Sequence, residues 1–144
     1  MTVLSDVEIE KCLKDGSLVI APFEDSCLNG AGYDLRLDRE LALQPREHRL
    51  VATLEKVEIG ENLTGTLHIR STLARSGIIA SLALVDPGFR GQLTVSLFNA
   101  SATPFRMAKN DKFLQLVLHH LGTKTQRPYA GKYQDSQGIV NTRQ

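Results

Sequence analysis

The sequence predicts an all-β domain, an antiparallel sandwich or barrel preceded by one short N-terminal helix. Three observations carry this expectation. Apolar and polar residues alternate with period two in several short runs, most cleanly in GQLTVSLFN, residues 91–99. The runs are separated by Gly, Pro, Asn and Asp, which supply the backbone angles that turns need. No strand–helix–strand repeat and no internal period points instead to a parallel sheet or a solenoid.

The elements follow in order. Ser5 with Glu8 three residues later is a capping box, so a helix begins there. Val7, Ile9, Cys12 and Leu13 give it a partly apolar face, and Asp15-Gly16 closes it. Residues 17–22, SLVIAP, read as a short strand, and Asn29-Gly30 marks a turn. YDLRLDRELAL, residues 33–43, reads as a half-buried strand. HRLVATLEKVEI, residues 48–59, is one or two more, and LTGTLHI and residues 78–85 continue the pattern. In residues 91–99, Leu93, Val95 and Leu97 point one way while Gln92, Thr94 and Ser96 point the other. FLQLVLHHL is a late strand with Leu114, Leu116 and Leu118 on one face. The core is therefore expected over residues 1–122, followed by a polar tail, 123–144. With few large apolar residues, that tail is expected to add nothing to its own subunit's core and to order on a ligand or a neighbouring chain.

A length of 144 residues suits one domain, and a composition 42% hydrophobic and 23% charged supports a core rather than disorder. The net charge of +1 gives no reason to expect nucleic acid or an acidic membrane as partner, though it leaves room for a local basic pocket. Cys12 and Cys27 form no zinc-binding spacing; two reduced thiols are expected, although one disulfide is permitted by the sequence. The opening MTVLSDVEIEKCL lacks a basic region followed by an apolar secretion segment, and no apolar run approaches the ~20 residues a membrane span needs. A cytoplasmic location follows as the expectation.

Three clusters can carry chemistry. In GAGYDL, Gly30 and Gly32 permit close backbone approach, and Asp34 either caps a local amide or organises a pocket. In RSTLARSG, Arg70 and Arg75 bracket Ser71 and Thr72 over one helical turn. The donors suit phosphate, and a surface turn with ordinary arginines is the other reading. In VDPGFRG, Asp86 leaves an apolar strand into a Pro-Gly turn that holds its backbone still, while Phe89 either packs in the core or lies on a sugar ring. His119 and His120 are adjacent and would face opposite sides of a strand, and His48 and His68 lack a ligand-spaced partner. Neither zinc-deaminase ligation nor a Ser–His–Asp triad has a local context here.

In this order the clusters resemble the motifs of the trimeric dUTPase and dCTP deaminase family, over about residues 5–138. NDKFLQLVL, residues 110–118, resembles the fourth motif, and PYAGKYQDSQG, residues 128–138, the deaminase form of the fifth. The N-terminal SDVEIEKCLKDGSLVIAPF also resembles the deaminase branch. The resemblance implies a distorted, jelly-roll-like antiparallel β-sandwich, a homotrimer with active sites between subunits, and a tail closing over a site, that of a neighbouring subunit. It implies Mg²⁺ held by the triphosphate and water, with no direct protein ligand.

One position separates the two activities within this resemblance. Deaminases carry a glutamate on the strand after the Asp turn, which shuttles protons as water attacks cytosine C4. The aligned residue here is Ser96. A neutral serine cannot act as a general base near neutral pH. The expected activity is therefore dUTP diphosphatase, yielding dUMP and pyrophosphate, with Asp86 activating water for attack on the α-phosphorus. The resemblance assigns Phe89 to the deoxyribose, main-chain groups around Ile79, Ala80, Leu84 and Val85 to the uracil edge, and Ser71, Thr72, Arg75 and Gln115 to the phosphates. Arg70 would support the turn, Asp34 the pocket, and Lys132 and Tyr133 would close from the tail. Two departures stand out: AGKYQDSQG replaces the glycine-rich dUTPase tail with its phenylalanine, and Ser136 stands where deaminase tails often have glutamine. The alternatives are a dCTP deaminase, alone or bifunctional, and a non-catalytic nucleotide-binding or interaction protein.

Overall fold

A computed structural model gives the fold, and residues 2–143 are described. In chain order the elements are β1 (Thr2–Val3), α1 (Asp6–Asp15), β2 (Leu18–Ala21), a 3-10 turn (Asp25–Cys27), β3 (Leu28–Asn29), β4 (Gly32–Arg36), β5 (Leu41–Leu43), β6 (His48–Ile59), β7 (Leu63–Ile69), α2 (Ser71–Arg75), β8 (Ile78–Ser81), β9 (Arg90–Asn99), β10 (Phe105–Met107) and β11 (Lys112–His120). Every strand pairing between them is antiparallel. One sheet has β11 at its centre, with β7 along one edge and β4 and β1 along the other; β3 extends it beyond β4. The second sheet runs β2-β6-β9-β8, and β5 with β10 forms a separate ribbon. The fold is mainly β with short helices, as expected.

The helix start is chemical. The Ser5 hydroxyl accepts from the Glu8 amide, the Glu8 carboxylate accepts from the Ser5 amide at 2.9 Å, and Gly16 in the left-handed conformation ends the helix. Ile9 and Cys12 bury against the sheet, but Val7 does not: it is 69% exposed, because the helix lies on the sheet with a narrower stripe than its sequence suggests.

Alternation decides the faces of β9, where Leu93, Val95 and Leu97 are buried and Gln92, Thr94 and Ser96 lie half-exposed. Leu114, Leu116 and Leu118 are fully buried from β11. The stretch 33–43 departs from its expected single half-buried strand. It divides into β4 and β5, and Tyr33, Asp34 and Leu35 are all buried, since β4 is covered on both faces. Residues 82–85 leave the strand pattern as well, apart from one bridge between Val85 and Gly65. Both cysteines are buried free thiols.

The tail also departs from expectation. Tyr129 packs against the core, Ser136 is buried, and residues 134–140 hydrogen-bond along the start of β9 of the same chain. Those main-chain bonds dock a segment whose few apolar side chains give little sign of it. Among the described residues no helix is long and apolar enough to cross a membrane.

Candidate active site

The turn after residue 85 is held by its backbone. Phe89 N–H donates to Asp86 C=O at 3.1 Å, and Gly88 N–H donates to Ile59 C=O at 2.8 Å. This presents Asp86 half-buried at a cavity of ≈ 370 Å³, walled by Leu50, Phe89 and Thr94 and by Tyr129, Tyr133 and Val140 of the tail. That volume lies within the range of about 300–1,000 Å³ typical of small-molecule sites. Asp86 is the one carboxylate in its lining, and its oxygens have no hydrogen-bond or ion-pair partner among the described residues. A free carboxylate on a braced turn, beside a buried ring, is what proton abstraction from a water requires.

Phe89 is 8% exposed and meets Tyr129 edge-on, with ring centroids 5.6 Å apart. It packs on the core, as one of its two sequence readings had it, and also forms a wall of the cavity. Val85 contributes only a wall. Its N–H donates to Gly65 C=O at 2.8 Å and its C=O accepts from Gly65 N–H at 2.9 Å, so its main chain is not free to read a base. Leu82, Ala83 and Leu84 carry no such main-chain pairing among the described residues. Ile79 and Ala80 lie on β8, an edge strand whose outer side is open. Ile79 and Leu84 are 58% and 56% exposed, an apolar surface left uncovered by this chain.

The second group of candidates gathers elsewhere. Asp34, 5% exposed, meets Arg70 at 3.5 Å and lies in register with Gln115 on β11. A side chain at Gly32 would meet Leu116 C=O at 2.7 Å and Gln115 Nε2 at 3.2 Å, so the glycine permits this strand contact. Ser71, Thr72 and Arg75 are exposed on α2, which Leu73 anchors. Ser71 and Arg75 are four residues apart and share a face. None of Ser71, Arg75 or Gln115 lines the Asp86 cavity. Within one chain the candidates thus fall into two clusters: a carboxylate with its cavity, and an arginine-bearing cluster.

Ser96 lies two residues beyond Thr94 on the outward face of β9, its Oγ 2.7 Å from His48 Nε2. His48 had no partner in the sequence; strand register provides one. Lys132 bonds the Arg143 carbonyl, and the Tyr133 hydroxyl accepts from Arg143 N–H at 3.3 Å, so both engage their own tail; of the two only Tyr133 lines the cavity.

The sequence reading missed a buried pair. Glu55, fully buried where β6 bulges, accepts from Arg36 N–H at 2.9 Å and from Arg36 Nε at 2.6 Å. Burial works against the Arg36 charge, and the Glu55 contacts outweigh it, so the guanidinium is held more firmly protonated than usual. Beside it, burial pushes the Tyr33 phenol upward, while its oxygen accepts from Glu24 N–H at 3.0 Å. A charged residue inside a strand next to a bulge was the only available signal.

The architecture places this chain among the dUTPase-like jelly rolls. The dUTPase of Staphylococcus bacteriophage 80alpha superposes with a TM-score of 0.63, covering 81% of this chain and 97% of that one at 18% identity. At the sequence level, the dCTP deaminase of Pyrococcus horikoshii is 38% identical over 96% of this chain and 95% of its own length. A probable deoxyuridine 5'-triphosphate nucleotidohydrolase of Sulfolobus islandicus rod-shaped virus 1 is 30% identical over 96% of each. Residues 38–121 match the family described as dCTP deaminase-like, and the chain belongs to that family.

Proposed function

We propose that this chain acts on a pyrimidine deoxynucleoside triphosphate, and that its reaction is hydrolysis of dUTP to dUMP and pyrophosphate. The observation that carries hydrolysis is the lone carboxylate of the cavity, Asp86. An Asp86 oxygen takes a proton from water as that water attacks the α-phosphorus. The bond to the oxygen bridging the α and β phosphates breaks, and pyrophosphate leaves with that oxygen. Phe89 packs on the deoxyribose, where a 2′-hydroxyl would meet the ring. The free main chain at Ala83 and Leu84 reads the uracil edge, and Ser71, Thr72, Arg75 and Gln115 of a second copy take the phosphates.

Two features support the second copy: the phosphate-type cluster lies outside this chain's cavity, and β8 with the segment that follows it exposes Ile79 and Leu84. A homotrimer is the assembly we propose. Among the described residues no three His, Cys, Asp or Glu side chains group as metal ligands. The donor set suits a Mg²⁺ carried by triphosphate oxygens and water, where it would offset charge on the departing pyrophosphate.

A second reading, deamination of dCTP, has the broader support among named relatives, including the Pyrococcus horikoshii protein. Against it stands Ser96, which has no carboxylate to carry a proton and whose hydroxyl meets His48 Nε2. Incubating the chain with dUTP and dCTP in Mg²⁺ separates the readings by product. Hydrolysis predicts pyrophosphate and dUMP from dUTP, with dCTP intact. Ammonia from dCTP with dUTP untouched replaces that reading by deamination, and ammonia together with pyrophosphate makes the enzyme bifunctional. Binding without turnover leaves a nucleotide-binding protein.

A further inference from the structure

The Asp86 turn is stapled to the tail of its own chain by contacts that centre on one residue. Arg90 donates from Nε and a terminal nitrogen to the two Asp135 oxygens, at 3.0 and 3.1 Å. Two parallel charge-assisted bonds fix orientation as well as distance. The same residues also join through backbone and amide groups. Asp135 N–H donates to Arg90 C=O, Arg90 N–H donates to Gln134 Oε1, and Gln134 Nε2 donates to Gly88 C=O, each at 2.8 Å. One step along, Gln92 N–H donates to Ser136 C=O at 2.9 Å. Gly91 makes room: its φ is +143°, and a Cβ there would stand 2.8 Å from Ser136 N. The Arg90 contact holds the Asp135 carboxyl below the usual range, in keeping with a formed pair.

The staple has a consequence for the cavity. It fixes the stretch of tail that carries Tyr129 and Tyr133, and both residues line the space in front of Asp86. We propose that Arg90, with Asp135 as counter-ion, is a positioning residue that holds the tail over the Asp86 cavity of its own chain and so sets the affinity for nucleotide. The proposal rests on reading that cavity as the nucleotide site. Arg90 acts through the tail rather than on reacting atoms. An exposed ion pair alone contributes little. Here it belongs to a set of bonds that form or release together, so reversing its charge acts on the whole attachment. If nucleotide is retained only while the tail is docked, apparent affinity falls in proportion to the docked fraction.

The test uses the full chain with Arg90→Glu, Asp135→Asn, the double variant, and Gln134→Ala. Asparagine is chosen at 135 because the backbone there is left-handed, φ 59°, which Asn tolerates. Trypsin cleavage after Lys132 reports tail release without reference to any activity. Arg90→Glu is expected to speed that cleavage about 10-fold and raise KM for dUTP about 10-fold, with kcat falling less than about 3-fold. Asp135→Asn should raise KM about 3-fold in the native background yet lower it in the Arg90→Glu background, where it removes a repulsion. Gln134→Ala, confined to the tail and remote from the core, should move cleavage and KM in the same direction as Arg90→Glu. Native cleavage and KM in both Arg90→Glu and Gln134→Ala, or effects at 90 and 135 that simply add, would overturn the proposal. If the native chain turns over neither nucleotide, the reading of the cavity fails and takes the affinity claim with it; trypsin still decides the attachment.

Discussion

At the residue scale the proposed chemistry rests on Asp86, a carboxylate with no hydrogen-bond or ion-pair partner among the described residues, on a turn held by its backbone bonds. Asp86→Asn keeps the shape and removes the proton acceptor. Turnover of dUTP should fall by about 10²–10⁴, while nucleotide affinity by calorimetry stays within about 3-fold, because a base contributes to the transition state rather than to binding. Turnover near the native rate would show that another group takes the proton. The placing of Asp86 and Phe89 on one braced turn was legible because its signal is local: a strand, then Pro-Gly, then an aromatic. Arg90–Asp135 and Arg36–Glu55 were not. Their partners are 45 and 19 residues away, and only strand register and tail docking bring them together. The main-chain pairing of Val85 with Gly65 was hidden for the same reason, since it depends on how β7 lies.

At the scale of elements, α1 was readable to its ends because caps are written in adjacent residues, and β7 and β9 because one of their faces is wet. β4 was not, since a strand covered on both faces loses its alternation. The capping box gives a measurable consequence. The Ser5 backbone N–H holds the Glu8 carboxyl below its ordinary value, against an opposing effect of desolvation and with lesser help from the Ser5 hydroxyl. A pKa lowered by folding means the contact stabilises above the unfolded value and is lost as pH falls through the folded one. Glu8→Ala should therefore lower Tm by about 2–4 °C at pH 7, and the gap to the native protein should close below the ordinary glutamate range. A gap that persists undiminished in acid would mean that Glu8 acts by packing rather than by its charge.

At the scale of the whole molecule, the fold divides the proposed site. The sheet built on β11 carries Asp34, Gln115 and, through α2, Ser71 and Arg75; the sheet with β9 carries the Asp86 turn and its tail. Sequence order alone carries no sign of this division, since motifs that follow one another in a chain need not face one another in space; only the family resemblance implied sites between subunits. If the halves meet across a subunit boundary, two defective chains can repair each other. Asp86→Asn retains a native Arg75, and Arg75→Ala retains a native Asp86, so each homo-oligomer is inactive at every site. Mixed and re-equilibrated in equal amounts, random assembly gives a native Asp86 facing a native Arg75 at about a quarter of the sites. Activity in the mixture should rise to about that fraction of native, with light scattering at three chains per particle. Both variants inactive alone and still inactive together, despite exchange of subunits, would place Arg75 and Asp86 in the same chain's site. The exposed Ile79 and Leu84 would then need a different explanation.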